Sequence, residues 1–175
     1  PFDSVWRKDA MQNAVKENNS QKHPEALFDA VWKKDITLTK INPAQSHRRR
    51  LVSYFLDKLN VRPQTIIDIG CGTGELLKEL SKKYPEAELT GCDLSLESGK
   101  LVKELLPKAN FLCLDVEEPN NNFNNSFDLI TSSEVIEHCK NPSGLVENAY
   151  RWLKPGGVFF VTVPSGEMTG YDITI

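Results

Sequence analysis

The chain has 175 residues, 39% of them hydrophobic and 26% charged, with a net charge of −3. That length makes about one domain with a sizeable core, and the near-neutral charge gives no reason to expect a polyanion partner over the whole surface. No apolar stretch approaches the ~20 residues of a bilayer-spanning helix, and because the sequence begins at Pro1 without an initiator Met, a removed leader stays open.

Residues 1 to 60 carry helical signals and no strand signals. "HPEALFDAVWKKD" (23–35) places Leu27, Phe28, Val31 and Trp32 at helical spacing. "SHRRRLVSYFLDKLN" (46–60) predicts a helix capped by Ser46, with Leu51, Val52, Phe55, Leu56 and Leu59 on one face. "NNSQKHP" (18–24) and "INPAQ" (41–45) read as loops. Arg48, Arg49 and Arg50 point in different directions on a helix and read as a solvated face. "FDSVWRKD" (2–9) and "FDAVWKKD" (28–35) echo each other. They are two similar amphipathic helices or a duplicated docking helix presenting Trp6 and Trp32.

From residue 65 the rhythm changes to alternating strands and helices. Strands are expected at "TIIDI" (65–69), "AELTGCD" (87–93), "NFLCLD" (110–115), "FDLITSS" (127–133) and "VFFVTV" (158–163). Helices are expected at 74–84, stopped before Pro85, and at 96–106 behind Ser95. "NNNFNN" (120–125) is a polar loop, and 134–140 is a short helical turn. Asn141 caps a last helix with Pro142 at its first position, running to Leu153, and Lys154-Pro155-Gly156-Gly157 makes a turn. This alternation implies an α/β fold whose parallel sheet is covered by helices on both faces. Ligands then bind at the carboxyl ends of the strands, beside the first strand.

Cys71, Cys92, Cys113 and Cys139 form no CxxC, and their spacing suits neither a zinc site nor a disulfide framework. Cys92 and Cys113 fall in apolar runs, where a reduced cysteine acts as a small hydrophobe. A reducing, cytoplasmic setting is the expectation.

The glycines after the first strand discriminate among nucleotides. A dinucleotide turn reads GxGxxG, whereas this one reads Gly70-Cys71-Gly72-Thr73-Gly74-Glu75. Glu75 stands where the third glycine of the dinucleotide pattern belongs. Its carboxylate, with Asp68 nearby, would repel a pyrophosphate at the helix start. The loop suits a ligand without phosphates and with a cationic amine for Asp68. Asp93, at the end of the second strand, is placed to bond both ribose hydroxyls of an adenosine. Asp115, read as the end of the third strand, could accept from the exocyclic adenine amine while the Val116 N–H meets a ring nitrogen. Three acids at successive strand ends repel one another unless a ligand satisfies them. S-adenosylmethionine has the amine, the ribose and the adenine to do so.

"IIDIGCGTGELL", "LTGCDLS", "FLCLDVEE", "FDLITSSEVIEHCKNP" and "LKPGGVFFVTVP" together resemble the class I S-adenosylmethionine-dependent methyltransferases, over residues 46 to about 164. The resemblance implies a Rossmann-like three-layer sandwich with strand order 3-2-1-4-5. It also implies cofactor contacts from Asp68, Gly70, Cys71, Gly72, Gly74, Asp93, Leu94, Asp115, Val116, Ser132 and Glu134. "SSEVIEHCKNPSGLV" with "LKPGGVFFVTVP" is similar to the branch containing the ubiquinone-biosynthesis O-methyltransferases and relatives acting on small metabolites. "INP" (41–43) is similar to the same branch, whose closely following arginine is displaced here to Arg48.

The resemblance implies a small-molecule acceptor. Amide-nitrogen methyltransferases carry an Asn/Asp-Pro-Pro-aromatic tetrapeptide where this chain reads Thr131-Ser132-Ser133-Glu134, and no Pro-Cys pair of a cytosine-C5 enzyme occurs. Nucleic acid is therefore not the expected substrate. Small-RNA 2′-O-methyltransferases resemble the Glu134, Glu137, His138 spacing and hold a metal with it, but they need a further downstream His that this chain lacks. If the acceptor is a hydroxyl, His138, beside Glu137, is the expected base. The alternatives are a helix-turn histidine bonded to backbone, or Glu134, Glu137 and His138 around a divalent ion. At the level of function, the competing readings are a nicotinamide-linked dehydrogenase and a non-catalytic cofactor-binding partner subunit.

Residues 1–60 are expected to form a helical segment on the substrate side, and 61–175 the cofactor-binding core. The family carries two more strands closing the sheet. Only twelve residues follow Val163, too few for both, so a longer parent protein is expected. The apolar fifth strand would otherwise be an open edge. Oligomers through that strand or the N-terminal helices are a further expectation.

Overall fold

The computed structural model describes residues 43–164. The helix expected at 23–35, the FDxVW echo with Trp6 and Trp32, and the stretch after Pro164 lie outside the described residues.

Five strands form one parallel sheet in the order β3-β2-β1-β4-β5. They are β1 (Thr65–Ile69), β2 (Glu88–Asp93), β3 (Asn110–Cys113), β4 (Phe127–Ser133) and β5 (Leu153–Thr162). The helices are α1 (Pro43–Leu59), α2 (Glu75–Lys83), α3 (Leu96–Leu105) and α4 (Pro142–Trp152), with a 3-10 turn at Ile136–His138. Successive side chains on a strand point to opposite faces, and β1 shows the consequence. Ile66 joins Val52 and Leu56 of α1, Leu77 and Leu80 of α2 and Val102 of α3 in one core. Ile67 and Ile69 join Leu145, Ala149 and Trp152 of α4 in the other. The result is the expected three-layer sandwich.

The caps explain several boundaries. Ser95 accepts from Ser98 N at the start of α3, and Asn141 accepts from Gly144 N ahead of Pro142 in α4. Other expectations need correction. Helix α1 already includes Pro43, so Ser46 is not its cap. Ser46 Oγ is inside the helix and accepts from Arg49. Of its expected apolar face only Val52 and Leu56 are buried, whereas Leu51, Phe55 and Leu59 are exposed. Strand β3 stops at Cys113, two residues before Asp115, and Cys113 is exposed instead of acting as a core residue. Strand β5 starts at Leu153 and ends at Thr162. Residues 154–157 bulge out of it, since Phe127 pairs with Leu153 but Leu129 pairs with Val158. Pro155 has no ladder donor, and Gly156 takes φ 81°.

Candidate S-adenosylmethionine site

The carboxyl ends of β1, β2 and β4 carry the candidate site, and the turn after β1 is its centre. Gly70, Gly72 and Gly74 all have positive φ (66°, 50° and 80°). At Gly70 the requirement is also steric, because a Cβ there would lie 2.3 Å from Val135 Cγ2. The loop following β4 therefore rests directly on the glycine turn. Cys71 N donates to Cys92 O at 3.0 Å and Gly74 N to Cys71 O at 2.9 Å, which ties the turn to the end of β2.

Two buried acids flank this turn. Asp68 Oδ1 accepts from Thr131 Oγ1 at 2.7 Å, across the β1–β4 register that pairs these two residues. Burial pushes the Asp68 carboxyl up to about 7; the Thr131 bond opposes that rise and the charge of Asp93 adds to it. Asp93 is also raised, chiefly by burial, against the bonds it accepts from the Ser95 and Gly72 N–H groups, each 2.9 Å long. Asp93 thus ties the glycine turn to the start of α3. Leu94, next to it, is half-buried.

The third acid does not join them in the interior. Asp115 is exposed in the turn beyond β3, where its Oδ1 accepts from Glu117 N at 2.9 Å. The apolar run through Leu114 had suggested a longer strand. Leu114 N does donate to Asp93 O at 3.2 Å, but the ladder ends there. Val116 is buried against the α4 side of the sheet.

Near the end of β4, Ser132 Oγ is buried without a hydrogen-bond partner. Glu134 has a left-handed backbone (φ 58°), held by its N–H to Thr162 O (3.1 Å) and by Thr162 Oγ1 to Glu134 Oε1 (3.1 Å). Arg48 Nη2 lies 3.1 Å from Glu134 Oε2. Arg48 therefore does not belong to a purely solvated face; it pins α1 to the loop after β4. Glu137 Oε2 and His138 Nε2 are buried without hydrogen-bond partners, and Glu137 Oε1 lies 3.8 Å from His138 Nε2. Burial raises the Glu137 carboxyl; His138 and Arg48 oppose the shift and Glu134 adds to it. His138 N donates to Val135 O, so its backbone closes the 3-10 turn. Among the described residues no three His, Cys, Asp or Glu side chains cluster as a metal site requires.

Cys71, in the turn after β1, bonds through its N–H to Cys92 O of β2, but the two thiols lie in opposite cores. Burial raises both thiols well above their ordinary value, as it does Cys139, to about 11. They are packing residues, not nucleophiles. Sequence reasoning missed Thr131, Val135 and the contact of Arg48. Only Thr131 left a signal, since it sits opposite Asp68 once β1 and β4 are paired.

A left-handed glycine turn between two buried acids, with an orphaned serine hydroxyl beside it, fits a ligand carrying a cationic amine and a ribose. The strand order defines a Rossmann-like α/β fold. The sequence matches the family described as "Methyltransferase domain" over residues 67–161, more than half of the chain. The chain belongs to that family, within the class I S-adenosylmethionine-dependent methyltransferases. It is 28% identical over 151 residues to a ubiquinone biosynthesis O-methyltransferase of Pseudomonas fluorescens, covering 79% of this chain and 60% of the relative. It is 33% identical over 101 residues to a trans-aconitate 2-methyltransferase of Deinococcus radiodurans, covering 57% of this chain and 38% of the relative. The plantazolicin methyltransferase BpumL, solved with a pentazolic analogue and S-adenosylhomocysteine, shares the fold. Its TM-score is 0.62 at 24% identity, covering 89% of this chain and 57% of the other. The chain thus spans about 60% or less of the length of the relatives it matches. Among the described residues no helix is long and apolar enough to cross a membrane.

Proposed function

We propose that this chain binds S-adenosylmethionine and transfers its methyl group to a small-molecule acceptor at a hydroxyl oxygen. The observation that carries the reading is the pair of buried carboxyls, Asp68 and Asp93, on either side of the glycine turn. Each carries a burial cost that a ligand with a cationic amine and ribose hydroxyls relieves. The names of the Pseudomonas and Deinococcus relatives, both methyltransferases of small molecules, support the acceptor class.

When bound, the cofactor supplies a methyl carbon made electrophilic by a sulfonium charge. The protein's contribution is then mostly positioning. Asp68 takes the amine and Asp93 the ribose hydroxyls, while Asp115 and the Val116 N–H take the adenine. Ser132 and Glu134 line the methyl side, and Glu134 is held in place there by Arg48 and Thr162. His138 accepts the hydroxyl proton of the acceptor. The Glu137 carboxylate, 3.8 Å from Nε2, stabilises the imidazolium that forms.

The test is incubation with methyl-labelled cofactor and a panel of phenols, carboxylic acids and amines. The expected result is label on a phenol or enol oxygen, lost by about 10²–10⁴-fold in His138→Ala while cofactor affinity stays within a few-fold. Label on nitrogen alone would overturn the oxygen assignment. Tight cofactor binding with no transfer to any acceptor would favour a non-catalytic binding subunit.

A further inference from the structure

One stripe of α4 is devoted to the segment that follows β3. Residues 141, 144, 148 and 152 are spaced by three and four, so they share one helix face, and each meets that segment. Asn141 N donates to the Glu117 carboxylate. Gly144 lies so close that a Cβ would come within 2.2 Å of Glu117 O. Trp152 Nε1 donates to Asn120 O at 2.7 Å. Between them, Asn148 is only 1% exposed and uses its whole amide. Its Nδ2 donates to Val116 O at 2.9 Å and to Glu118 O at 2.7 Å, and its Oδ1 accepts from Asn120 N at 3.1 Å.

Burying an amide among apolar side chains is costly unless every polar atom is bonded. Here every one is, and all the partners belong to a stretch that lies past the last β3 ladder pair. A leucine would fill the same space and leave the carbonyls of Val116 and Glu118 without these donors. Asp115 is coupled to the same grip, because its side chain accepts from Glu117 N. The two residues read above as the base-recognising pair are therefore set by α4.

We propose that Asn148 is a positioning residue that fixes the 115–118 backbone and thereby sets selectivity for adenine over other purines. This rests on the assignment of Asp115 and Val116 to the adenine. It predicts that loss of the Asn148 bonds changes which base is accepted, beyond any general loss of affinity.

The experiment is calorimetric titration of the whole chain with S-adenosylhomocysteine and with S-inosylhomocysteine, which carries an oxygen in place of the adenine amine. Wild type, Asn148→Leu and Asn148→Asp are compared, with thermal unfolding run beside them. Wild type should prefer the adenine compound by about tenfold or more, the scale of one mispaired hydrogen bond. Both variants should bind it more weakly and lose most of that preference, because the carbonyls that position the turn are released. If Asn148→Leu does not fold, Trp152→Phe removes the bond to Asn120 O together with part of a buried ring, and should reduce the preference in part, with the lost packing read from the thermal unfolding. Folded variants that keep the wild-type ratio would overturn the proposal and leave Asn148 a stability residue. Wild-type protein that binds both compounds equally would overturn the adenine assignment itself, and the proposal with it.

Discussion

At the scale of single residues, burial bears heavily on the ionisation of Asp68. Its carboxyl titrates near 7 when folded, against 3.8 ordinarily. A folded-state value above the unfolded one means that the folded chain holds the proton more tightly. The stabilising contribution is thus complete below about pH 4 and is lost as the pH rises through 7. A cationic amine needs the ionised form, so affinity for S-adenosylhomocysteine should rise from pH 6 to 8 with an inflection near 7. Asp68→Asn should flatten that rise; an unchanged profile in calorimetry would remove Asp68 from the amine. Asp93→Ala should weaken the same ligand by about 1.5–3 kcal/mol, the scale of hydrogen bonds to charged groups. Both acids could be picked out in the sequence because strand ends and glycine spacing are local signals. The exposure of Asp115 could not, because Leu114 continues the apolar pattern past Cys113, where the ladder stops.

At the scale of elements, the site depends on how closely the loop after β4 sits on the turn after β1. Gly70→Ala must accommodate a Cβ 2.3 Å from Val135 Cγ2 at φ 66°. It should destabilise the fold by about 1–3 kcal/mol and weaken cofactor binding. Adding Val135→Ala should restore the steric part and leave the backbone part, which a double-mutant cycle in urea would separate. Strand β4 and the caps of α3 and α4 fall where the sequence places them, because continuous apolar runs and Ser or Asn caps are strong short-range signals. Arg48 stood out in the sequence only as a displaced arginine of the resembling branch, and its partner was not legible. It depends on the packing of α1 beside β4 and β5, which no spacing within "HRRR" encodes.

At the scale of the whole molecule, the end of the sheet opposite the site is fastened separately. Asp128 Oδ2 accepts from Gln64 N, Thr65 N, Thr65 Oγ1 and Lys154 Nζ, joining β1, β4 and the bulge of β5. Burial acts to raise its carboxyl, but these bonds outweigh burial and hold it below 3.8. Its contribution to stability is therefore present above about pH 4 and lost as the pH falls through the lower folded value. Asp128→Ala should cost about 1 kcal/mol of stability at pH 7, less at pH 3, and leave cofactor affinity unchanged. Equal losses at both pH values in denaturant titrations would contradict that role. The strand order was legible through the family resemblance, while the alternation of apolar runs and helices by itself gave only a parallel sheet covered on both faces. The bulge was legible only as a turn at residues 154–157, because the pairing of Leu153 with Phe127 ahead of it is a long-range contact.

The central claim is that the glycine turn and its two acids hold an adenosyl amino acid and not a dinucleotide. Its most direct test is calorimetric titration of this chain, under identical conditions, with S-adenosylhomocysteine and with NAD. The prediction is saturable one-to-one binding of S-adenosylhomocysteine and no heat of binding from NAD at the same concentrations. Saturable binding of NAD, with none of S-adenosylhomocysteine, would contradict it.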